Sequence, residues 1–380
     1  MTKTNVPRLR FSGFSNNFKF LHIGDILKIK NGKSQKNVEV SEGKYPILGT
    51  GGIIGRTNSF LCDKESVLIG RKGTINKPMY MDTPFWTVDT LFYSEIKSNS
   101  DAKFVYFLFN TIEWLKYNTS TGVPSLTSTN IESIFVSIPE KIEQQKIGDF
   151  FAKQDKLIEL QTQKVDQLKK LKRGYLQKMF PQEGETVPRL RFSRFSGKWK
   201  EEKLDSLLLE CNNRKVKNVE NYKLLKVRLH FKGVKTTTDH PRVTSKGRKY
   251  FLRKPGDLII GKQNFHNGGF AIIPDNVEGY VASSAIVSFT NKSNCNLNFV
   301  NFYMMNNDWL RRTTIFIGGT GQKEYSVKTL KSLKIKIPTL EEQEKISKFF
   351  KVIDNKIAYE KDKLNTLNKL KKAYLQKMFI

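Results

Sequence analysis

The sequence predicts a mixed α/β (α+β) chain built twice over: two globular modules separated by two long antiparallel coiled-coil helices, with an internal pseudo-two-fold repeat. Three observations predict it. The stretch IPEKIEQQKIGDFFAKQDKLIELQTQKVDQLKKLKRGYLQKMF at 138–180 returns at 337–379 as IPTLEEQEKISKFFKVIDNKIAYEKDKLNTLNKLKKAYLQKMF, with YLQKMF identical in both. The tag VPRLRFS at 6–12 returns unchanged at 187–193. Between tag and helix the two halves diverge yet keep their landmarks in the same order. A repeated unit sets the architecture before any single residue is interpreted.

Each long helix opens behind a proline, Pro139 or Pro338, that pins the first turn. Acidic residues follow near the positive end of the helix dipole, Glu140 and Glu143 in one copy and Glu341, Glu342 and Glu344 in the other. About 40 proline-free residues at ~1.5 Å per residue make a rod of roughly 60 Å. Apolar residues recur at Ile158, Val165, Leu168, Tyr175 and Met179, and at Ile357, Leu364, Leu367, Tyr374 and Met378. Steps of seven, three, seven and four residues describe an a/d seam, and so narrow a seam calls for another helix. The other copy is the obvious partner.

Taken in order, the chain divides into a module at 1–137, a rod at 138–182, a module at 183–336 and a rod at 337–380. Leu68-Ile69-Gly70-Arg71-Lys72 aligns with Ile259-Ile260-Gly261-Lys262-Gln263, Phe104 and Trp114 with Phe299 and Trp309, and Thr121-Gly122 with Thr320-Gly321. The offset between copies climbs from 181 at the tag to 199 at the rods, as loop insertions in a common fold would produce. Within each module, β-rich runs at 66–70, 85–93, 257–261 and 280–290 are punctuated by Gly, Pro and Asn. A helix is expected at 102–118 and its counterpart at 297–312. Before each rod, 126–138 and 325–337 read as a short helical turn and a strand.

Charge narrows the function. The chain of 380 residues has 66 Lys and Arg against 36 Asp and Glu, a net +30. Each rod carries ten basic and six acidic residues, so +22 lies outside the rods. That excess, spread over two compact modules with 12% aromatics, points to a polyanion partner and to nucleic acid rather than a membrane surface. Three scattered cysteines, Cys62, Cys211 and Cys295, with no CxxC, indicate neither a disulfide framework nor a zinc site and fit a reducing cytoplasm. The N-terminus has no apolar signal-peptide core, and no run approaches membrane-spanning length.

Catalytic motifs do not assemble. Phe316-Ile317-Gly318-Gly319-Thr320-Gly321 is the nearest match to a glycine turn for a methyl-donor cofactor, but it falls late in its module and no NPPY-like tetrapeptide follows. Pro274-Asp275 and Glu278 lack the lysine that would complete a metal-dependent nuclease triad. No GxxxxGK[ST] loop exists, and His22, His230, His240 and His266 are isolated from any nucleophile or ligand spacing. The reading is a chain without a catalytic site or metal. A divergent DNA methyltransferase or nickase would need the missing motifs, and a coiled-coil adaptor would leave the basic modules unexplained.

Polar decoration on glycine-rich loops supplies the candidate DNA contacts. Arg71, Lys72, Thr74, Asn76 and Lys77 follow one strand, and Lys262, Gln263, Asn264, His266 and Asn267 follow its equivalent. Arg and Lys can bond guanine edges, Asn and Gln adenine, and glycine allows close approach to a duplex. A second loop in each half, with Thr121 in one and Gln322 and Lys323 in the other, offers hydroxyls, amides and a lysine suited to phosphate.

The P-x-x-x-E-Q-x-K-I elements at 139–147 and 338–346, the paired YLQKMF ends and the twice-used variable module together resemble the DNA-specificity subunit of type I restriction–modification systems, over essentially the whole chain. Strict P-x-x-E-Q spacing is not kept at Pro139, where the glutamines are shifted by a residue. The resemblance implies two target-recognition domains, each reading half of a bipartite double-stranded DNA site, held apart by the rods. It also implies two modification subunits docked on the helices and two restriction (translocase–nuclease) subunits in the full complex. S-adenosylmethionine, ATP and Mg2+ would belong to those partners, with none in this chain.

Overall fold

The computed structural model describes residues 6–211, 214–241, 249–317 and 324–380. These form two compact units, one of Met1–Gln163 with Lys361–Ile380 and the other of Lys164–Glu360. The cut differs from the linear order of module and rod, because each unit combines a module with the beginning of one rod and the end of the other.

The first unit begins with β1 (Lys19–His22), α1 (Ile23–Ile26) and β2 (Leu27–Asn31). Then come β3 (Glu39–Val40), β4 (Tyr45–Gly49), β5 (Gly52–Thr57), β6 (Ser66–Gly70), β7 (Met79–Met81), β8 (Trp86–Thr87) and β9 (Leu91–Ile96). It continues through α2 (Ala102–Phe109), α3 (Ser128–Glu132) and β10 (Phe135–Ile138) into the rod α4 (Lys141–Lys178). One antiparallel sheet has the order β2-β9-β6-β7; a second, β3-β5-β4-β8, includes the parallel pair β4–β8. β1 pairs with β10, so the module closes where its chain leaves for the rod.

The second unit repeats this plan. β11 (Lys200–Lys203), α5 (Leu204–Leu207), β12 (Leu208–Glu210), β13 (Lys223–Val227), β14 (Val234–Thr236) and β15 (Tyr250–Arg253) come first. β16 (Leu258–Gly261), β17 (Phe270–Ile272), β18 (Tyr280–Ser283), β19 (Ile286–Asn291), α6 (Leu297–Met304) and α7 (Asn307–Arg312) follow. α8 (Val327–Ser332) and β20 (Lys334–Ile337) lead to the second rod, α9 (Leu340–Met378). The sheets are β12-β19-β16-β17 and β14-β13-β18-β15, with β13–β18 parallel and β11 paired to β20.

Two expected helices are shorter than their apolar pattern. In place of 102–118, α2 stops at Phe109, where the Trp114 indole donates to the Phe109 carbonyl, and a separate 3-10 turn covers Trp114–Tyr117. In place of 297–312, Asn306 divides α6 from α7 by accepting from the amides of Asp308 and Trp309 as a new N-cap. Short polar side chains compete for backbone groups at both sites, Asn110 and Thr111 at the end of α2 donating to the Tyr106 and Leu108 carbonyls and Asn306 capping α7.

The repeated tag and the rod starts lock together within each unit. Arg10 donates from Nε and Nη2 to the two oxygens of Glu143, both at 2.7 Å, and Arg191 does the same to Glu342 at 2.7 Å. Both glutamates are 1% exposed. Hydrogen bonding to Glu143 raises the Arg10 pKa, so this guanidinium stays charged. The following glutamines act alike. Gln144 accepts from the Asp101 amide at 3.0 Å and donates to the Pro139 carbonyl; Gln343 accepts from the Asn296 amide at 2.9 Å and donates to Pro338. Both copies therefore share one P-x-x-x-E-Q spacing, and the offset expected at Pro139 alone is no difference between them. A buried ion pair adds little net stability over an apolar pair of similar shape, but it strongly penalises any arrangement that separates its members.

The rod ends complete the cores. In the first unit Met378 and Phe379 join the cluster around Phe104 and Phe151, with Phe379 5.3 Å from the Phe104 ring. In the second, Met179 and Phe180 join Trp199, Phe299 and Phe350, with Phe180 5.5 Å from Phe299. Burying each phenylalanine contributes roughly 1.5–3 kcal/mol. The Leu9 amide bonds the Lys377 carbonyl at 2.9 Å and the Leu190 amide the Lys178 carbonyl at 2.8 Å, so each tag satisfies a carbonyl at a helix end.

Within each unit the two rod segments run antiparallel. Phe150 meets Tyr374 edge-on at 5.3 Å and Asp155 pairs with Lys371; Tyr175 meets Phe349 at 5.0 Å and Lys172 pairs with Asp354 at 2.6 Å. Val165, Met179, Ile357 and Met378 of the expected seam are buried, and Ile158, Leu168, Tyr175, Leu364, Leu367 and Tyr374 are half-buried. Facing outward instead are Leu160 and Leu171 of α4 and, at the same places in α9, Tyr359 and Leu370.

Candidate nucleic-acid interface

β6 is buried along its whole length and delivers the chain to the surface at Gly70. A Cβ there would lie 2.1 Å from the Thr74 carbonyl oxygen, so the tight exit needs glycine. Beyond it, the amides of Arg71 and Lys72 donate to the Thr90 carbonyl, the Leu126 amide donates to Arg71, and Gly73, at φ +92°, donates to Pro124. Lys72 and Ser125 form an antiparallel bridge. The two loops selected from the sequence are thus one paired surface. Its backbone groups are used internally, while Arg71, Lys72, Asn76, Lys77 and Thr121 are exposed. Thr74 is half-buried, and Ile75 anchors the loop in the core. Arg71 and Lys72 line an open pocket of about 410 Å³ with Asp89, Ser120, Ser125 and Thr127. Hydroxyls beside two cations suit a phosphate or a base edge.

The second unit repeats the backbone and changes the contents. Lys262 donates from its amide to Ala285 and accepts at its carbonyl from Tyr325, both at 3.0 Å, as Arg71 does with Thr90 and Leu126. The chain then winds through a 3-10 turn, Lys262–Asn267, that buries Phe265 against Phe270 and Tyr325. Asn264 and Asn267 are exposed, whereas Lys262, Gln263 and His266 are half-buried. Lys262 is less available than its sequence position implies, because its ammonium lies 3.4 Å from Glu324. The His266 ring is tilted over Tyr325 at 6.3 Å, and its Nδ1 finds no hydrogen-bond partner among the described residues. Burial pushes the Tyr325 phenol pKa up, so the phenol stays neutral beside the Thr313 hydroxyl at 3.1 Å. Gln322 and Lys323, with Gly318–321, lie outside the described residues. The sequence reading passed over 228–233, a basic hairpin tip beside this loop; Arg228 and Lys232 flanking a turn that ends at Gly233 between two short strands were the available signal.

A sequence profile of the type I restriction modification DNA specificity domain matches residues 15–170 and 198–369. The chain is 23% identical over 386 residues to the type I restriction enzyme MjaVIII specificity subunit of Methanocaldococcus jannaschii, covering 94% of this chain and 91% of that one. Its fold is similar to the crystal structure of a type I restriction-modification S subunit from M. genitalium, with a TM-score of 0.67, 16% identity and 99% of each chain covered. A chain from a structural study of complex assembly and conformational transition in a type I R-M system matches at a TM-score of 0.52 and 12% identity, over 97% of this chain and 99% of that one. The profile covers most of both halves, modules and rods alike, and on that basis the chain belongs to the type I restriction–modification DNA specificity family.

Proposed function

We propose that this specificity subunit reads one interrupted duplex site with two unlike modules, and that its rods set the spacer between the half-sites. One observation carries this reading: Arg71 and Lys262 hold the same two backbone bonds on the same strand exit, yet present different side chains in different surroundings. One frame with two contents suits two readers of different sequences. The candidate contacts are those exposed on the two loops of the first module, and Asn264, Asn267 and their half-buried neighbours in the second.

The outward Leu160 and Tyr359, and Leu171 and Leu370, place apolar side chains twice at matching positions on the two rods. That duplication suits two copies of one partner, the modification subunits, with two restriction subunits completing the complex. In this reading the chain carries no chemistry of its own, adenine methylation belongs to the partners, and the complex works in the cytoplasm. No helix among the described residues is long and apolar enough to cross a membrane.

Mapping methylated adenines in DNA from cells expressing this chain with its modification partner tests the proposal. The expected result is an interrupted motif of two different halves, with purified complex binding it less tightly as salt rises. Inserting about one helical turn near Gln161 moves one module by roughly 5 Å, somewhat over one base pair, so the spacer should lengthen while both halves stay unchanged. An old spacer retained with full activity would sink the ruler. Methyl transfer by the isolated chain would replace the whole reading with that of an enzyme.

A further inference from the structure

The modules differ sharply at one hairpin tip. In the second, β13 and β14 are joined through a turn at 229–232, closed by the Lys232 amide donating to the Leu229 carbonyl at 3.3 Å. Its central residues, His230 at φ 57° and Phe231 at φ 58°, are the only non-glycine residues with positive φ among those described. A turn with both central residues left-handed favours Asn-Gly, and His-Phe is strained there. Such strain persists only where the surroundings over-determine it, and it gathers at functional sites.

Those surroundings are the candidate reading loop itself. The His230 amide donates to the Asn267 carbonyl at 2.8 Å and the Phe231 amide to the Gly268 carbonyl at 3.1 Å. The Phe231 ring lies where a Cβ on Gly268 would approach to 2.7 Å, and packs edge-on to Phe270 at 5.5 Å. With Phe231 turned inward, Arg228, His230 and Lys232 are exposed beside the exposed Asn264 and Asn267, and one Nη of Arg228 donates to the Lys232 carbonyl, leaving the rest of its guanidinium to face outward. The equivalent hairpin of the first module, β4–β5, turns through Thr50 and Gly51 into Gly52 at φ +113°, and Thr50 lies beside Gly73 of that module's loop. Both tips abut the loop, but the first has glycine where the second keeps large side chains at the expense of strain.

We propose that residues 228–232 are a base-reading element of the second module, presenting Arg228, His230 and Lys232 to the duplex, and that the first module has no counterpart of equal reach. This rests on the functional reading above. Arginine can bond guanine bidentately, and the imidazole and ammonium extend the same donor edge.

The full chain, co-expressed with its modification partner, tests it by methylation mapping of wild type, of H230G, and of R228A combined with K232A. Glycine adopts the left-handed geometry freely, so H230G removes the imidazole while keeping the turn, and it should unfold no earlier than wild type. Each variant should lose about tenfold of its preference at one or more bases of the second half-site, with the first half-site and spacer unchanged. A second half-site kept intact in both variants would overturn the proposal, whether methylation is unchanged or falls equally at every site. A wild-type complex with no interrupted motif would overturn the functional reading on which it rests.

Discussion

The buried latches and the loops proposed to read DNA are both duplicated, and they have diverged to different extents. Arg10–Glu143 and Arg191–Glu342 are alike in chemistry, each bidentate at 2.7 Å, each beside a glutamine that holds the N-cap residue of a module helix, Asp101 of α2 or Asn296 of α6. The loops keep only their backbone bonds: Arg71 is exposed where Lys262 is paired to Glu324. A latch is closed among groups of one chain, and loss of its arginine strands a buried carboxylate. In the proposed function a reading loop completes its contacts outside the chain, so its side chains can change while the frame stays.

The largest test exploits the duplication. A chain ending near Gln182 keeps Asp155, Lys172, Met179 and Phe180, the counterparts of Asp354, Lys371, Met378 and Phe379. A second copy can therefore supply the missing helix pairing and the missing core residues, giving a true two-fold dimer. Its target should become an interrupted palindrome of the first half-site. Sedimentation with the modification partner checks the dimer and methylation mapping the palindrome; a well-folded, strictly monomeric fragment would contradict the pairing.

Next in size is the latch. Arg10→Met leaves the Glu143 carboxylate, 1% exposed, buried without its guanidinium and should destabilise the first unit by about 3–5 kcal/mol, whereas Arg10→Met with Glu143→Leu should be nearly neutral. Denaturant unfolding of the three proteins separates these outcomes. Equal losses in the single and double variants would show that the pair does not act as a unit.

The loops come third. Replacing Arg71 and Lys72 by alanine should reduce discrimination by about 1–3 kcal/mol at the half-site of the first module alone. Replacing Lys262 or Gln263 should affect only the other, with a smaller change for Lys262 because Glu324 already holds its ammonium. Binding to duplexes altered in one half at a time measures this; an equal effect on both halves would break the assignment of modules. Smallest is Lys156→Ala, which removes an exposed pair with Glu159 on α4 and should shift stability by less than about 0.5 kcal/mol.

Much of the architecture was legible because it is written in local patterns. Rod lengths follow from periodicity, and the strand exits at Gly70 and Gly261 from apolar runs ended by glycine. Where a polar side chain captured the backbone, as at Asn306, the pattern misled and one expected helix became two. The tip at 228–232 was missed because its conformation depends on carbonyls from Asn267 and Gly268, far along the chain.

By itself the sequence determined that there are two modules, two rods and one repeated plan, because repeats and helical periodicity require only neighbours in the chain. Only the tertiary structure decided which end completes which core. The two YLQKMF segments are identical, so no property of theirs could direct Phe379 to Phe104 or Phe180 to Phe299. The Arg10–Glu143 latch spans 133 positions and was equally unreadable. Such pairings exist only once folding has brought distant segments together and excluded water from the charges they bury.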